Sequence, residues 1–173
     1  MRKGTVQVYT GNGKGKTTAA LGLCLRAAGR GMKSLIIQFM KGQKYGELDA
    51  VKSLGGLITI EQMGLDTFVH VSGPSEEDIA MAQKGLDRAR QALKDDEVDI
   101  LVLDEINVAV YFRLVKIEEV LELIDARPES MELVLTGRYA PPQVIGRADL
   151  VTRMECVKHY YDAGIPARDG IER

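Results

Sequence analysis

An α/β fold with one mainly parallel sheet is predicted by three features of the sequence. Strand-like and helix-like stretches alternate along all 173 residues, the order that builds right-handed strand–helix–strand crossovers. Several of the strand-like stretches are short unbroken apolar runs, among them Leu35-Ile36-Ile37 and Leu101-Val102-Leu103, which suits strands covered by helices on both faces. Residues Thr5 to Thr18 run from a β-branched strand through a glycine-rich loop into an apolar helix, the phosphate-cradling unit called a P-loop. A chain of this length buries roughly 70% of its unfolded surface in one core, so a single domain over residues 1–173 is expected.

The elements follow in order. Thr5 to Tyr9 is the first strand, and Gly11, Asn12, Gly13, Lys14 and Gly15 form the loop. Lys16, Thr17 and Thr18 start a helix whose apolar run, Ala19 to Ala28, stops near Gly29 or Gly31. Cys24 shares a face with Leu21, Leu25 and Ala28 and reads as a small core residue. Strands are expected at Ser34 to Phe39 and Leu57 to Gln62. Ser75 with Asp78 three residues on forms a capping box for a helix from about Glu76 to Lys94, with Ile79, Ala82, Leu86, Ala89 and Leu93 on its buried face. A strand at Ile100 to Leu103 precedes a helix from about Lys116 to Ala126, marked by Ile117, Val120, Leu121 and Ile124 and closed by Pro128. Leu133 to Thr136 is the fifth strand, a short helix follows Pro141-Pro142, and Leu150 to Met154 is the last strand. Cys156 is assigned to that late strand, with no functional reading.

Bulk composition excludes several classes. Twenty-three basic and 25 acidic residues give a net charge of −2, which provides no electrostatic footprint for nucleic acid. No apolar run approaches the roughly 20 residues that span a bilayer. Met-Arg-Lys-Gly leads into the first strand without an apolar signal region, so a cytoplasmic protein is expected. Two cysteines make no disulfide framework and no zinc spacing, and no Ser-His-Asp or Cys-His arrangement stands out.

The residues that carry chemistry converge on phosphate. Glycines let the loop turn its N–H groups toward an anion, and the helix start adds further donors. Lys16 supplies a full charge and Thr17 a hydroxyl for Mg²⁺. Thr10 stands where the common eight-residue pattern has glycine, so the loop is one residue short counted from Gly11, and an unusual nucleotide pose follows. Asp104-Glu105, at the end of an apolar strand, is the pair that holds Mg²⁺ directly or through water. Arg138, after the next strand, reaches a phosphate or a second substrate, unless it is a solvated turn residue. Arg26, two turns into the helix, faces either ligand or water. His159, in Lys158-His-Tyr-Tyr-Asp-Ala-Gly164, is a base, a substrate contact or a structural residue, and His70 has less context still. Ligands of such sheets bind outside the carboxyl ends of the strands, where segments 40–48, 63–74, 104–112 and 137–142 join the P-loop, and the tail after Met154 is expected to return to the same region.

Taken together, Gly11-Asn-Gly-Lys-Gly-Lys-Thr-Thr-Ala-Ala-Leu-Gly22, Asp104-Glu-Ile-Asn107, Thr136-Gly-Arg138, Ala148-Asp-Leu-Val151, Lys158-His159, Asp162-Ala-Gly-Ile165 and Gly170-Ile-Glu172 come in one order. In this the chain resembles the P-loop corrinoid adenosyltransferases, over nearly its whole length. The resemblance implies a RecA-like P-loop NTPase domain, usually a homodimer. It implies transfer of the 5′-deoxyadenosyl group of ATP to the Co(I) of cob(I)alamin or cob(I)yrinic acid a,c-diamide, with release of triphosphate. It further implies Mg²⁺, with Mn²⁺ as a possible substitute, and a flavoprotein reductant. Lys16, Thr17 and Glu105 would then act in catalysis. Thr17, Glu105 and Asp104 would hold the metal. The loop from Gly11 to Thr18, with Arg26, Arg138, Phe68 and His159, would bind the substrates. Many members carry an N-terminal extension over the site, whereas four residues precede the first strand here. The family's segment after the third strand often reads Gly-Phe-Thr-Trp, whose aromatics press on the lower corrinoid face. Here it reads Gly64-Leu-Asp-Thr-Phe68, with no tryptophan in the chain. Phe68 is the residue to stand in, with Phe112 a weaker candidate.

Two other readings stay open on the sequence. One is a P-loop kinase or ATPase, the other a nucleotide-dependent corrinoid carrier without catalysis. Nothing in the sequence specifies a phosphoryl acceptor.

Overall fold

The computed structural model describes residues 3–65 and 73–172. The strands are β1 (Val6–Thr10), β2 (Ser34–Phe39), β3 (Ile58–Met63), β4 (Ile100–Asp104), β5 (Glu132–Thr136) and β6 (Leu150–Arg153). They form one sheet in the order β3-β2-β4-β5-β1-β6, and every pairing is parallel. All residues of β2, β4 and β5 are buried, which is why their sequences are unbroken apolar runs.

Alternation along each strand divides the core in two. Leu35, Ile37, Leu101, Leu103, Leu133 and Leu135 face α3 (Glu76–Asp95) and α5 (Ile117–Ala126), meeting Leu86, Ala89, Val120 and Leu123. Ile36, Val102 and Val134 face α1 (Lys16–Ala28) and meet Ala20, Cys24 and Ala27. Those small residues, spaced four and three apart, let α1 lie close to the sheet. Cys24 is therefore core, as expected, and burial pushes its thiol up to about 11. Leu25 departs from expectation: it lies 100° round the helix from Cys24 and is 56% exposed. Ile79 departs likewise, at 38% exposed, because α3 meets the sheet only from Ala82 onward.

The capping box of Ser75 and Asp78 is formed as read: each donates a backbone N–H to the other's side chain. Boundaries of the strands differ from the sequence reading by one residue or so. Cys156 is the exception, lying exposed and beyond β6. The sheet partner explains it: Arg153 pairs with Thr10, after which β1 gives way to the glycine loop and offers no further ladder.

Four helical pieces among the described residues escaped the sequence reading: α2 (Gly46–Ala50), 3₁₀ turns over Val51–Leu54 and Tyr160–Ala163, and α4 (Ile106–Tyr111). Each is too short to show a 3.6-residue period. The short α6 (Pro142–Arg147) after the proline pair is as expected. Because every strand runs the same way, the loops after β1, β2, β4, β5 and β6 collect at one edge of the sheet. No helix among the described residues is long and apolar enough to cross a membrane.

Candidate active site

The site begins where β1 ends. Gly11 and Gly15 hold φ of 95° and 118°, values that a residue with a Cβ rarely adopts. A Cβ on Gly11 would fall 2.2 Å from the Met154 carbonyl oxygen, and one on Gly13 would fall 2.8 Å from the Glu155 backbone. These two glycines thus admit the chain leaving β6, a task separate from exposing N–H groups to phosphate. Gly13 N–H donates to the Met154 carbonyl at 2.8 Å. Gly15 caps α1, and no side chain fills the helix N-terminus there, leaving first-turn N–H donors for an anion.

Lys16 is 7% exposed and donates to the Gly13 carbonyl at 2.7 Å. Burial pushes its ammonium below the ordinary lysine value, so a phosphate arriving beside it restores lost solvation. Thr17 Oγ1 donates to Asp104 Oδ1 at 2.9 Å. Asp104 is fully buried and accepts three further bonds: from Thr136 Oγ1 at 2.6 Å, Lys41 Nζ at 2.8 Å and, more weakly, Gln38 Nε2 at 3.4 Å. Residues from the start of α1, from β5, and from β2 and its exit therefore fix one carboxylate.

Glu105 sits differently. Its φ is +62°, its N–H donates to Thr136 Oγ1 at 2.9 Å, and its carboxylate lines the cavity. A non-glycine residue in this conformation stores strain, of order 1 kcal/mol, at a place where the geometry is held by its surroundings. Burial first, and the neighbouring Asp104 second, raise its carboxyl above the ordinary glutamate value. Its ionisation therefore costs stability. That cost is absent below the unfolded-state value, grows as pH rises, and is complete above the folded one. Glu105→Gln is expected to raise the melting temperature of the metal-free protein at neutral pH and to flatten its decline from mildly acidic pH upward, while turnover is lost. Melts across that pH range with an unchanged slope would exclude burial of this carboxylate as the cause.

These groups surround a cavity of about 650 Å³, within the range that holds nucleotide-sized ligands. The P-loop from Asn12 to Thr18 forms one wall, and Lys41, Tyr45, Glu47, Glu105, Arg138 and His159 complete it. Arg138 follows Gly137, whose φ of 126° and close approach to Val108 allow the turn off β5. His159 Nδ1 accepts from Tyr161 N–H at 3.1 Å, which fixes the ring and leaves Nε2 as the other nitrogen. Gly11 belongs to an adjoining hollow with Tyr139, Arg153 and Cys156.

The structure also shows what the sequence reading missed. Lys41 and Glu47 enter from the exit of β2, unsignalled by any motif. The chain after β6 returns to this edge as expected, but its pairing was unread: Lys14 Nζ donates to Tyr160 Oη at 2.8 Å and to Glu172 Oε1 at 2.7 Å. Arg168, Lys14 and Tyr160 together hold the Glu172 carboxyl well below its ordinary value. Arg26 is exposed and does not line the cavity. Phe112 is half-buried against the core and edge-on to Tyr111, at 5.3 Å between ring centroids. Phe68 and His70 lie outside the described residues.

Thr17, Asp104 and Glu105 present only oxygen, the donor chemistry of Mg²⁺ or Mn²⁺. Among the described residues no three His, Cys, Asp or Glu side chains converge as a metal cage. The residues present thus fit an ion held by one or two protein oxygens, with phosphate and water as its other ligands.

A parallel sheet with a P-loop after β1 and an acid pair at the end of β4 is the fold of RecA-like P-loop proteins. Solved structures agree at the level of fold. A KaiC-like protein from Pyrococcus horikoshii OT3 superposes with a TM-score of 0.58 at 17% identity, covering 88% of this chain and 72% of its own. The flagellar accessory protein FlaH from Methanocaldococcus jannaschii gives 0.61 at 11% identity, with the same coverages. The sequence goes further: residues 2–173 match the family described as ATP:corrinoid adenosyltransferase BtuR/CobO/CobP, and the chain belongs to it. Relatives named corrinoid adenosyltransferase share 39% identity in Pseudomonas aeruginosa and 34% in Escherichia coli K12. Each alignment covers 98% of this chain, and 84% and 86% of those relatives.

Proposed function

We propose that this protein transfers the 5′-deoxyadenosyl group of ATP to the Co(I) of a corrinoid and releases triphosphate. One observation carries the mechanism: the cavity gathers Lys16, Lys41, Arg138, Thr17 and Glu105, and no serine or cysteine lines it among the described residues. Such a site neutralises phosphate and supplies no nucleophile. The reaction needs none from the protein, because Co(I) of the substrate donates its electron pair to C5′. The C5′–O bond breaks, and its electron pair leaves on the triphosphate oxygen. Lys16, the P-loop N–H groups and Arg138 stabilise the charge that develops there. Thr17 and Glu105, with Asp104 behind them, would hold Mg²⁺, or Mn²⁺ in its place, which supplies further charge neutralisation on the phosphates. His159 and Asn12 border the same cavity and orient the nucleotide.

Anaerobic incubation with ATP, Mg²⁺ and chemically reduced cob(I)alamin tests this reading. The expected products are adenosylcobalamin, seen by its absorption spectrum, and an equal amount of intact triphosphate. ADP and orthophosphate in step with turnover, with no cobalt–carbon bond formed, would favour a kinase or ATPase.

The finer reading is a cytoplasmic homodimer that receives electrons from a flavoprotein. β6 supports the dimer: it is an outer edge strand with all four residues exposed, Leu150 and Val151 among them, and such edges pair readily with a second chain. Sedimentation as a monomer at micromolar concentration would overturn that part.

A further inference from the structure

We propose that Lys41 is a resident counter-cation of the metal site. It holds Asp104 and Thr17 in place before metal arrives, and yields those contacts to the ion, moving onto the phosphates, when Mg²⁺ and ATP enter. This inference rests on the Mg²⁺ reading above and adds a residue to it.

The geometry is specific. Lys41 Nζ lies 2.8 Å from Asp104 Oδ2 and 3.3 Å from Thr17 Oγ1. Thr17 would face the ion, with Asp104 behind it, so the ammonium already occupies ground beside that ligand. Its side chain is 16% exposed and that of Asp104 is fully buried, so the pair is shielded from solvent. The backbone places it there. Met40, just past β2, has a φ of +58° and turns the chain inward. A Cβ on Gly64 would come within 2.3 Å of Lys41 N, so the exits of β2 and β3 are packed main chain to main chain. The Tyr45 ring lies 5.4 Å from the ammonium, within cation–π range. Glu47 and Glu105 also bear on its charge. A divalent ion at Thr17 and a monovalent ammonium a few ångströms away repel each other strongly in a dry site, so one excludes the other. The P-loop lines the same cavity, so a triphosphate bound there would give the displaced ammonium an anion to bind.

The test uses nucleotide-free protein. Mn²⁺ binding is followed by electron paramagnetic resonance, and thermal melts are run with and without millimolar Mg²⁺. Wild type is expected to bind Mn²⁺ weakly and to melt at the same temperature with or without Mg²⁺. Lys41→Met is expected to bind Mn²⁺ about tenfold tighter or more, and to melt lower, with the loss restored by Mg²⁺. Lys41→Gln should follow it, and Lys41→Arg should behave as wild type. Lys41→Met and Lys41→Gln with wild-type Mn²⁺ affinity and Mg²⁺-insensitive melts would overturn the proposal. The wild-type complex with ATP separates the two readings. If it captures Mn²⁺ while the variants show no change, Lys41 alone is misassigned. If it captures none, the metal site itself is wrong, and this inference with it.

Discussion

Lys16→Ala is expected to give a folded protein that turns over at least about a hundredfold more slowly, a loss of roughly 3–4 kcal/mol in transition-state stabilisation. Lys16 is the cation that the P-loop itself directs, anchored on the Gly13 carbonyl at 2.7 Å. Its neighbours do not substitute for it. Lys14 is tied to Glu172 and Tyr160. Lys41 rests on Asp104 and, once displaced, reaches the phosphates from the exit of β2 and not from the P-loop. The fold should survive, because Lys16 makes no ion pair in the described structure and its burial works against its own charge. Turnover of pre-reduced cob(I)alamin at saturating ATP, beside a thermal melt, is the measurement. A variant that keeps more than about a tenth of wild-type turnover would remove Lys16 from the transition state.

Legibility in the sequence followed the range of the interactions. The P-loop, the Asp104-Glu105 pair and the capping box are local: their meaning lies in a few consecutive residues, and the structure forms them where they were read. The parallel sheet was legible because two-sided burial writes itself as apolar runs. Lys41 was not, because its partner is Asp104, and only the sheet order that sets β2 beside β4 brings them together. The strap of Glu172 and Tyr160 over Lys14 spans about 150 residues and has no periodic signature. Leu25 and Ile79 were misplaced for a simpler reason. An apolar residue in a helical pattern need not be inside, and each falls just off the stripe or the turn that meets the sheet. Phe68, expected from the sequence to stand in for the family's aromatics, lies outside the described residues.

Asp104 has the largest expected effect on stability. Asp104→Ala removes the only acidic partner that Lys41 has within salt-bridge distance in the described structure, leaving a shielded ammonium with only the more distant charges of Glu105 and Glu47. Breaking one side of a buried pair typically costs about 3–5 kcal/mol, to which the loosened Thr17 and Thr136 hydroxyls add. At about 2–4 °C per kcal/mol for a chain of this size, the melting temperature should fall by on the order of 10 °C. Activity should fall with it, since Thr17 loses the acceptor that orients its hydroxyl. Asp104→Asn keeps the shape and tests the charge alone; it should show a smaller loss of the same sign. The decisive comparison adds Lys41→Met. If the cost is the orphaned cation, the double variant Asp104→Ala with Lys41→Met must be more stable than Asp104→Ala by itself, because removing both members of a buried pair is far cheaper than removing one. Purely additive losses in the double variant would mean that the two charges are not coupled, and that the stability of this corner of the sheet comes from packing alone.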